Sequence, residues 1–305
     1  MNAVANERIA IEVLRNEPLS KHTSWRVGGP ADLFYSPTST AELQSILAEL
    51  PAATPVHWLG LGSNLLVRDG GIRGAVIATG SLPRELERLD ERRVRASAGL
   101  ACMLLAKRCV RWQLGPAAFF AGIPGTVGGA LAMNAGAFGG ETWANVEAAT
   151  TIDRRGELHE RPRAQFEIDY RTVRGPENEW FLGATFRFEH DSSSSMDAIK
   201  DLLARRNAAQ PIGYPSCGSV FRNPPGDFAG RLVEQAGLKG MQIGSARVSD
   251  KHANFILNVD GATAADIEAL IGEIRAGVER ASGVQLELEV RVIGEAADAA
   301  PYGER

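Results

Sequence analysis

Two short segments of the sequence carry side chains that could do acid–base and anion-binding chemistry. In "CGSVFRNP" the hydroxyl of Ser219 is followed by Arg222 and Asn223, and "IDYRTV" contains Arg171. A hydroxyl can donate a proton, and a guanidinium can hold a carboxylate through two parallel hydrogen bonds. The pattern leaves other interpretations open, because a serine often satisfies a local backbone group and an arginine at a strand edge usually lies in water.

Other nucleophilic or metal-assisted chemistry has less support. Phe221 stands where the hydrolase motif G-x-S-x-G requires glycine, so Ser219 does not form a nucleophile elbow. Cys217 could be proposed as a nucleophile, but nothing near it in the sequence indicates a lowered thiol pKa. The three cysteines and five histidines lack C-x-x-C and H-E-x-x-H spacing. We therefore predict no disulfide framework and no metal site.

Two glycine-rich runs could hold a phosphate group. In "GLGSNLLV", residues 60–67, Gly62, Ser63 and Asn64 could turn several N–H groups toward one anion, although Leu65 replaces the third glycine of a dinucleotide fingerprint. The longer run "AGIPGTVGGALAMNAGAFGG" leaves its backbone free to approach a bulky ligand. Because no Walker A lysine pattern occurs, the two runs favour a dinucleotide over a nucleotide triphosphate. A simple turn in the first run and close packing between domains in the second remain alternatives.

The longer run belongs to an uncharged stretch that ends at Glu141 and is long enough to cross a membrane. Pro116, Pro124 and the glycines would make it a poor helix, since glycine costs about 1 kcal/mol and proline about 3 kcal/mol in a helix interior. The first twenty residues interleave charged and apolar positions, unlike a signal peptide. We therefore predict a cytoplasmic protein without a membrane segment. The net charge of −4, without Lys/Arg blocks, predicts no nucleic-acid partner.

The elements that must position these residues form three predicted units, consistent with the usual size of domains for 305 residues. The unit 1–80 contains a helix within "SPTSTAELQSILAEL" and short strands in "VHWLGLG", "SNLLV" and "GAVIA". The unit 81–195 contains a strand in "RVRASAG", a helix from Leu100 to about Trp112, a hairpin that turns at 153–156 and a strand in "WFLGATFRFEH".

The third predicted unit, 196–305, begins with a helix that ends at Pro211 and contains a second helix in "RLVEQAG". A long helix runs from about Thr263 to Ser282, with Thr263 and Asp266 as its capping pair. The final segment "VQLELEVRVIG" alternates apolar and polar residues and predicts a strand. Its periodicity places Glu289 on a solvated polar face and does not distinguish it from Glu287.

In this order the segments resemble the UDP-N-acetylenolpyruvoylglucosamine reductase (MurB) family of bacterial peptidoglycan precursor synthesis. The likeness covers nearly the whole chain, including "HTSWRVGGPADLFYSP", "GLGSNLLVRDGGIRG", "AGIPGTVGGALAMNAGAFGGE", "YPSCGSVFRNP", "AGRLVEQAGLKG" and "LEVRVIG". The resemblance implies an α+β fold, namely a vanillyl-alcohol-oxidase-type FAD-binding fold of two α+β subdomains followed by a C-terminal α+β substrate domain. "KHANFILN" and the absence of an inserted loop are more similar to the shorter subtype of the family.

The resemblance also implies a reaction. NADPH reduces non-covalently bound FAD, and hydride then passes from flavin N5 to the methylene carbon of UDP-N-acetylglucosamine enolpyruvate, which gives UDP-N-acetylmuramate. An enolate develops, which must be stabilised and protonated. By motif match, Arg171 and Glu289 stabilise the developing charge and Ser219 supplies the proton. The substrate-binding positions implied are Tyr214, Arg222 and Asn223.

The cofactor positions also follow from the resemblance, with the pyrophosphate assigned to the two glycine-rich runs and the flavin to "MNAGAFG". The residues predicted to bind FAD are Gly60, Gly62, Ser63, Asn64, Gly122, Ile123, Pro124, Gly125, Val127, Gly128, Asn134 and Gly136. This sequence departs from the family pattern at Leu61, at Cys217 and at Leu288, which precedes the predicted catalytic glutamate. None of the three departures removes a predicted catalytic group.

Two rival hypotheses stay open at the level of sequence. One keeps the flavin fold but makes the protein an oxidase of an alcohol or a lactone, which rapid reoxidation of the flavin by oxygen would favour. The other is a non-catalytic protein that binds nucleotide sugars through the glycine-rich turns alone. A colourless protein that binds a UDP-sugar but no flavin would favour the second.

Overall fold

The first unit is built on a four-stranded mixed sheet. In the computed structural model, which describes residues 11–297, β2 and β3 both run parallel to β5, while β1 pairs antiparallel with β2. The elements of this unit are β1 (Leu14–Pro18), β2 (Pro30–Tyr35), α1 (Thr40–Glu49), β3 (Val56–Leu59), β4 (Leu65–Val67) and β5 (Ile72–Ala78). The predicted helix forms because Leu43, Ile46 and Leu47 are buried at helical spacing and Ser39 caps its first turn.

The second unit is a five-stranded antiparallel sheet in the order β12-β11-β15-β7-β6. Its elements include the predicted strands, helix and hairpin: β6 (Leu86–Arg88), β7 (Arg93–Ser97), α2 (Cys102–Arg111), β8 (Leu114–Gly115), α3 (Val127–Met133), β9 (Gly136–Ala137), β10 (Gly140–Glu141), β11 (Val146–Asp153), β12 (Leu158–Pro162), β13 (Glu167–Asp169), β14 (Thr172–Arg174), β15 (Glu179–Arg187) and β16 (Glu189–His190). The helix α2 buries Leu105, Ala106 and Cys109 in the hydrophobic core of this unit.

The uncharged stretch of the second unit does not form one long helix. It divides into a 3-10 helix at Ala118–Gly122, the seven-residue helix α3, and the short strands β9 and β10. No helix between residues 11 and 297 has the length and hydropathy to cross a bilayer. The glycines and prolines therefore break the run as their helix propensities predict.

The third unit contains α4 (Met196–Ala209), α5 (Ala229–Gln235), β17 (Gln242–Ile243), β18 (Ala246–Val248), β19 (Ile256–Asn258), α6 (Ala264–Ser282) and β20 (Arg291–Ile293). The predicted capping pair of α6 is present, because Thr263 accepts from Asp266 N–H and Asp266 accepts from Thr263 N–H. By its contacts α4 lies with the second unit, since Ile199 is buried in the core of that unit. We therefore place the boundary between the second and third units after α4 rather than at residue 195, and the division into domains stays a proposal.

The final predicted strand is shorter than expected. Only Arg291–Ile293 form a ladder, parallel to β4 of the first unit. Before it, the chain meets the backbone of residues 220–222 through an isolated bridge, with hydrogen bonds from Glu289 N–H to Val220 O (2.8 Å) and from Arg222 N–H to Glu287 O (2.9 Å). The segment 284–290 therefore lacks a continuous partner and is not a regular strand.

The first and third units are joined at the start of α6. Both carboxylate oxygens of Asp69 accept backbone N–H groups there, from Ala264 and Ala265, each at 2.9 Å. Arg68 binds the carboxylate of Glu268 through two parallel hydrogen bonds of 3.0 Å. Asp69 therefore caps a helix that begins 195 residues further along the chain.

We expect Asp69→Ala to lower the free energy of unfolding by about 1–2 kcal/mol, the usual cost of losing a helix cap. Urea denaturation of the variant and the parent measures the change. Asp260→Ala provides a matched control, because Asp260 is exposed and its carboxylate makes no hydrogen bond within residues 11–297. Equal stability of the Asp69 variant and the parent would contradict this assignment.

Candidate active site

The structure brings Arg171 and Glu289 into direct contact across two units. Arg171 Nε lies 3.1 Å from Glu289 Oε1, and both side chains are only 15% exposed. The remaining guanidinium nitrogens donate to the backbone oxygens of Asn134 and Gly136, each at 3.2 Å. The guanidinium is therefore held by three acceptors, and the interpretation of Arg171 as a strand-edge residue in water is wrong.

The backbone around Arg171 aims its side chain inward. Tyr170 and Arg171 form the two-residue turn between β13 and β14, where Asp169 pairs with Thr172. Arg171 has a φ of +54°, a left-handed conformation that non-glycine residues adopt rarely. Its guanidinium carbon also lies 4.8 Å from the centre of the Tyr170 ring, a cation–π distance. The turn therefore fixes the arginine before any ligand is bound.

Glu289 is not on a solvated face, which corrects the prediction from periodicity. Gln285 and Glu287 are exposed, whereas the Glu289 side chain is largely buried against the Arg171 guanidinium. Burial raises the pKa of the Glu289 carboxyl, and the positive charges of Arg171 and then Arg222 oppose that shift. A carboxyl in this setting can hold or share a proton more readily than one in water.

The pH dependence of stability provides a test of this environment. A carboxyl whose pKa is raised binds its proton more tightly in the folded state, so its contribution to stability falls as pH rises from about 4.5 through the folded value. We expect the stability of the parent relative to Glu289→Gln to decrease over that window. Urea unfolding of both proteins between about pH 4 and pH 8 measures the difference, and a difference that does not vary with pH would contradict the prediction.

The segment that carries Ser219 lies beside Glu289. Val220 O accepts the N–H groups of both Glu289 and Val290, at 2.8 and 3.3 Å. Ser219 is the preceding residue, is partly exposed, and its hydroxyl makes no hydrogen bond within residues 11–297. The hydroxyl is therefore not engaged in satisfying a local backbone group, which was the alternative that the sequence left open.

Arg222 and Asn223 extend the same segment. Arg222 Nη2 donates to Arg171 O at 3.2 Å, and its buried Nε has no acceptor among the described residues. Asn223 Oδ1 accepts the Ala229 N–H at the start of α5, and its amide nitrogen makes no hydrogen bond in the same part of the chain. The structure therefore places Arg222 against the Arg171–Glu289 pair, while Tyr214 is 53% exposed in the loop after α4 and has no hydrogen bond to this group.

The two glycine-rich runs are neighbours. A Cβ atom on Gly60 would lie 3.5 Å from Thr126 Oγ1, and one on Gly125 would lie 3.4 Å from Ser63 Oγ. Beside Gly60 and Leu61 a cleft of about 390 Å³ opens, and the Leu61 side chain is 50% exposed. The departure from the family pattern at Leu61 is therefore accommodated by pointing the side chain outward.

Residues 60–64 of the first run form a loop, named the cofactor loop after its predicted role. Its N–H groups are unpaired within the described residues, whereas two of its carbonyl oxygens accept hydrogen bonds from other segments. The N–H groups of residues 61–64 donate to no acceptor in the described part of the chain. By contrast, Gly62 O accepts from Ser24 N–H, and Asn64 O accepts from Arg291 N–H. Gly62 has a φ of +59°, the conformation that turns successive N–H groups toward one point. Unpaired donors of this kind fit the diphosphate of FAD.

The second run is closely packed against the protein at two of its glycines. A Cβ on Gly122 would overlap Phe138 at 2.4 Å, and one on Gly128 would meet Ala98 Cβ at 2.7 Å. Close packing, one of the two interpretations left open for this run, therefore applies at Gly122 and Gly128, and ligand approach stays a prediction. Of the other predicted cofactor residues, Ile123 and Val127 are buried and Pro124 is exposed.

Asn134 is occupied within the protein. It is 1% exposed, and its side chain accepts from Trp143 N–H and donates to Glu141 Oε2 and to Asp169 O. Its backbone N–H donates to Ala130 O, so that group is engaged within the protein as well. The carbonyl oxygens of Asn134 and Gly136 hold the Arg171 guanidinium, and the contacts of both residues with FAD stay a prediction.

The comparisons with known proteins bear on this arrangement. Residues 31–161 match the family model of an FAD binding domain, and residues 210–293 match that of the UDP-N-acetylenolpyruvoylglucosamine reductase C-terminal domain. The reductase of Alkalilimnicola ehrlichii is 54% identical over 295 residues, which cover 96% of this chain and 98% of that protein. The chain belongs to the UDP-N-acetylenolpyruvoylglucosamine reductase family. As a member it is a flavin-dependent oxidoreductase of peptidoglycan precursor synthesis.

Further relatives in the family agree with this assignment. The Methylococcus capsulatus reductase is 54% identical over 284 residues, which cover 93% of both chains. The solved structure of the Thermus caldophilus MurB reductase matches with a TM-score of 0.79 and 31% identity, over 92% of this chain and 99% of that one. The predicted α+β fold, with an FAD-binding region followed by a separate C-terminal domain, is confirmed.

Sequence reasoning missed one residue that shapes the site of this family member. The Asn254 side chain binds both backbone groups of Phe221, accepting its N–H at 2.9 Å and donating to its oxygen at 2.8 Å. Asn254 O also accepts the Val220 N–H at 2.9 Å. The Asn254 side chain therefore takes the place of a paired strand beside the Ser219 segment. Its position within "KHANFILN" was the only signal for it in the sequence.

One group of potential metal ligands occurs in residues 11–297, at the hairpin turn after β11. Ligand atoms of Asp153, Glu157 and His159 lie within 4.8 Å of one another. Asp153 Oδ1 accepts the N–H groups of Arg155 and Glu157, and its Oδ2 lies 3.0 Å from His159 Nε2. These hydrogen bonds stabilise the hairpin turn and explain why the three side chains lie close together.

Proposed function

We propose that this chain is the NADPH-dependent reductase that converts UDP-N-acetylglucosamine enolpyruvate to UDP-N-acetylmuramate, with FAD bound non-covalently. The observation that carries the proposal is the buried Arg171–Glu289 pair, which is bonded through Val220 to the segment of the unengaged Ser219 hydroxyl and through Asn64 to a loop of unpaired N–H donors. This combination offers a cation, a proton donor and an anion site within one region, as the reaction requires.

The chain's own residues would divide the chemistry as follows. FAD, when bound, supplies hydride transfer from the nicotinamide to the enolpyruvyl methylene carbon. Arg171 stabilises the negative charge that develops on the carboxylate side of the substrate, because its guanidinium is fixed before the charge appears. Glu289 contributes through a proton that it holds or shares, which its raised pKa favours. Ser219 protonates the neighbouring carbon.

The remaining polar groups would hold the sugar nucleotide. Arg222 has a buried Nε without an acceptor among the described residues, so it can donate to an anion that enters beside Arg171. Asn223 keeps an unpaired amide nitrogen for the substrate diphosphate. Tyr214 is exposed at the edge of this region and is assigned to the same ligand. The sugar nucleotide and the nicotinamide then occupy this region one after the other.

A visible spectrum of the purified protein tests the function as a whole. We expect flavin absorbance that bleaches when NADPH is added without oxygen and returns when the enolpyruvyl sugar nucleotide follows. Bleaching by an alcohol donor and rapid return of the colour with oxygen, but no return with the sugar nucleotide, would favour an oxidase. Absence of flavin after reconstitution, with UDP-sugar binding retained, would contradict the proposal.

Gly62 tests whether the cofactor loop holds the diphosphate. A Cβ at this position would lie 2.3 Å from His22 O, and its φ of +59° strains any side chain. We expect Gly62→Ala to raise the Kd for FAD by about 10- to 100-fold, since loop distortion and backbone strain cost about 1–3 kcal/mol. Titration of the apoprotein with FAD, followed by flavin fluorescence, measures the change.

Gly261→Ala is the matched control for this substitution. Gly261 also has a left-handed φ, of +69°, but no atom lies within 4 Å of the added Cβ and the position is outside the loop. We expect unchanged affinity for FAD in this variant. An equal loss in both variants would mean that general destabilisation, rather than the loop, sets the affinity.

A further inference from the structure

The side chain of Asn64 lies where the three units meet. Its amide nitrogen donates to Glu289 O at 3.0 Å and contacts Met133 Sδ at 3.3 Å. Met133 is the last residue of α3, which lies within the second glycine-rich run. One amide group of the first unit therefore contacts both the second unit and the backbone of Glu289, a member of the buried ion pair.

The main chain and the side chain of Asn64 have separate tasks. The backbone N–H belongs to the row of unpaired donors in the cofactor loop, whereas the carbonyl accepts the Arg291 N–H at 3.0 Å. The side-chain amide points away from that row, toward Glu289. A cofactor contact by Asn64 therefore requires only its backbone, which any residue at this position provides.

We propose that the Asn64 side chain is a positioning residue for the reductase reaction, which fixes the backbone of Glu289 relative to the loop that holds FAD. The proposal rests on the function proposed above. It assigns the side chain a role in the second half-reaction, in which the enolpyruvyl substrate is reduced, and none in binding the cofactor.

The geometry of Glu289 explains why this contact matters. Its backbone is held from two sides: its N–H donates to Val220 O at 2.8 Å, and its carbonyl accepts from Asn64. The first bond ties Glu289 to the Ser219 segment, and the second ties it to the cofactor loop. Without the second bond, the carboxylate and the Ser219 segment can shift together relative to the flavin. Misplacement by about 1 Å can reduce a rate by about 10²-fold.

A second contact strengthens the same connection. The Cys217 thiol, two residues before Ser219, lies 3.6 Å from Gly62 O and 3.3 Å from Leu65 O. The cofactor loop is thus bonded both to the segment of Ser219, the predicted proton donor, and to the segment of Glu289, the predicted acid. Asn64 is the stronger of the two links, because an amide N–H is a better donor than a thiol.

Rapid-mixing measurements of the two half-reactions test the proposal. We expect Asn64→Ala and the isosteric Asn64→Asp, which both lack the N–H donor, to slow reoxidation of the flavin by the enolpyruvyl sugar nucleotide by about 10- to 100-fold. Reduction of the flavin by NADPH is expected to change by less than about threefold. The Kd for FAD, from titration of the apoprotein, is expected to stay within about threefold because the backbone donors remain.

Gln44→Ala is the matched control. The Gln44 amide makes the same kind of bond between units, donating to Gly156 O at 2.8 Å, but away from the site. We expect both half-reactions of this variant to match the parent.

Two results would overturn the role of Asn64. Asn64→Asp with the parent rate would show that the amide donor is not required. A parallel loss of FAD affinity and of both half-reactions would show that Asn64 acts through the cofactor site. A parent enzyme that fails to transfer electrons to the enolpyruvyl sugar nucleotide is a different outcome, which contradicts the proposed function and the role of Asn64 with it.

Discussion

Ser219→Ala is expected to slow reduction of the enolpyruvyl substrate by about 10²- to 10⁴-fold while leaving reduction of the flavin by NADPH intact. General acid catalysis contributes about 10²- to 10⁴-fold in rate, and the Ser219 hydroxyl is the unengaged proton donor on the segment bonded to Glu289. The loss should appear in the rate of the second half-reaction rather than in affinity for the substrate. Single-turnover measurements with prereduced enzyme separate the two steps.

Ser45→Ala is the control for this substitution. The Ser45 hydroxyl bonds Ala41 O on the exposed side of α1, remote from the site. We expect it to leave both half-reactions unchanged. A Ser219→Ala enzyme whose second step stays within about twofold of the parent would remove Ser219 from the role of proton donor.

Arg171→Ala is expected to have the second large effect, on rate and on stability together. Loss of one preorganised charge-stabilising group costs about 10²- to 10³-fold in rate, and here the group is held by three acceptors. Removal also leaves Glu289 buried without its partner, which costs about 3–5 kcal/mol for pairs in this environment. Arg171→Lys should retain part of the charge effect but not the three-bond geometry.

The two effects of Arg171→Ala can be separated with a second substitution. Adding Glu289→Gln neutralises the buried carboxylate, so the double variant should recover much of the lost stability and none of the lost rate. Arg154→Ala is the control, because Arg154 also donates to three backbone oxygens, those of Leu47, Leu50 and Pro51, at a distance from the site. An Arg171→Ala enzyme with a normal second half-reaction would remove the arginine from charge stabilisation.

Local patterns predicted most of the regular elements. The spacing of Leu43, Ile46 and Leu47 specified α1, and the Thr263–Asp266 pair specified the start of α6, because these signals depend only on neighbouring residues. The breakdown of the uncharged stretch followed from its glycines and prolines in the same way. Motif order then predicted the family, which the comparisons confirmed.

Contacts between distant segments could not be predicted in this way. Alternation placed Glu289 in water, yet Arg171 approaches it from a turn 118 residues away and excludes solvent. The final strand is short because its partner is β4, in another unit, rather than an adjacent segment. Asn254 was missed because its side chain replaces a backbone ladder at Phe221. The periodicity of apolar residues does not predict a bond from a side chain to a distant backbone.

The pairing of β4 with β20 sets a limit on when the protein can mature during translation. Asn64 and Glu289, which flank this pairing, are 225 residues apart, and ribosomes add about 5–20 residues per second. The edge of β4 and the loop before it consequently wait roughly 10 to 50 s for their partner to be synthesised. Flavin capture on the nascent chain is therefore expected to come late, after the C-terminal strand has left the ribosomal tunnel.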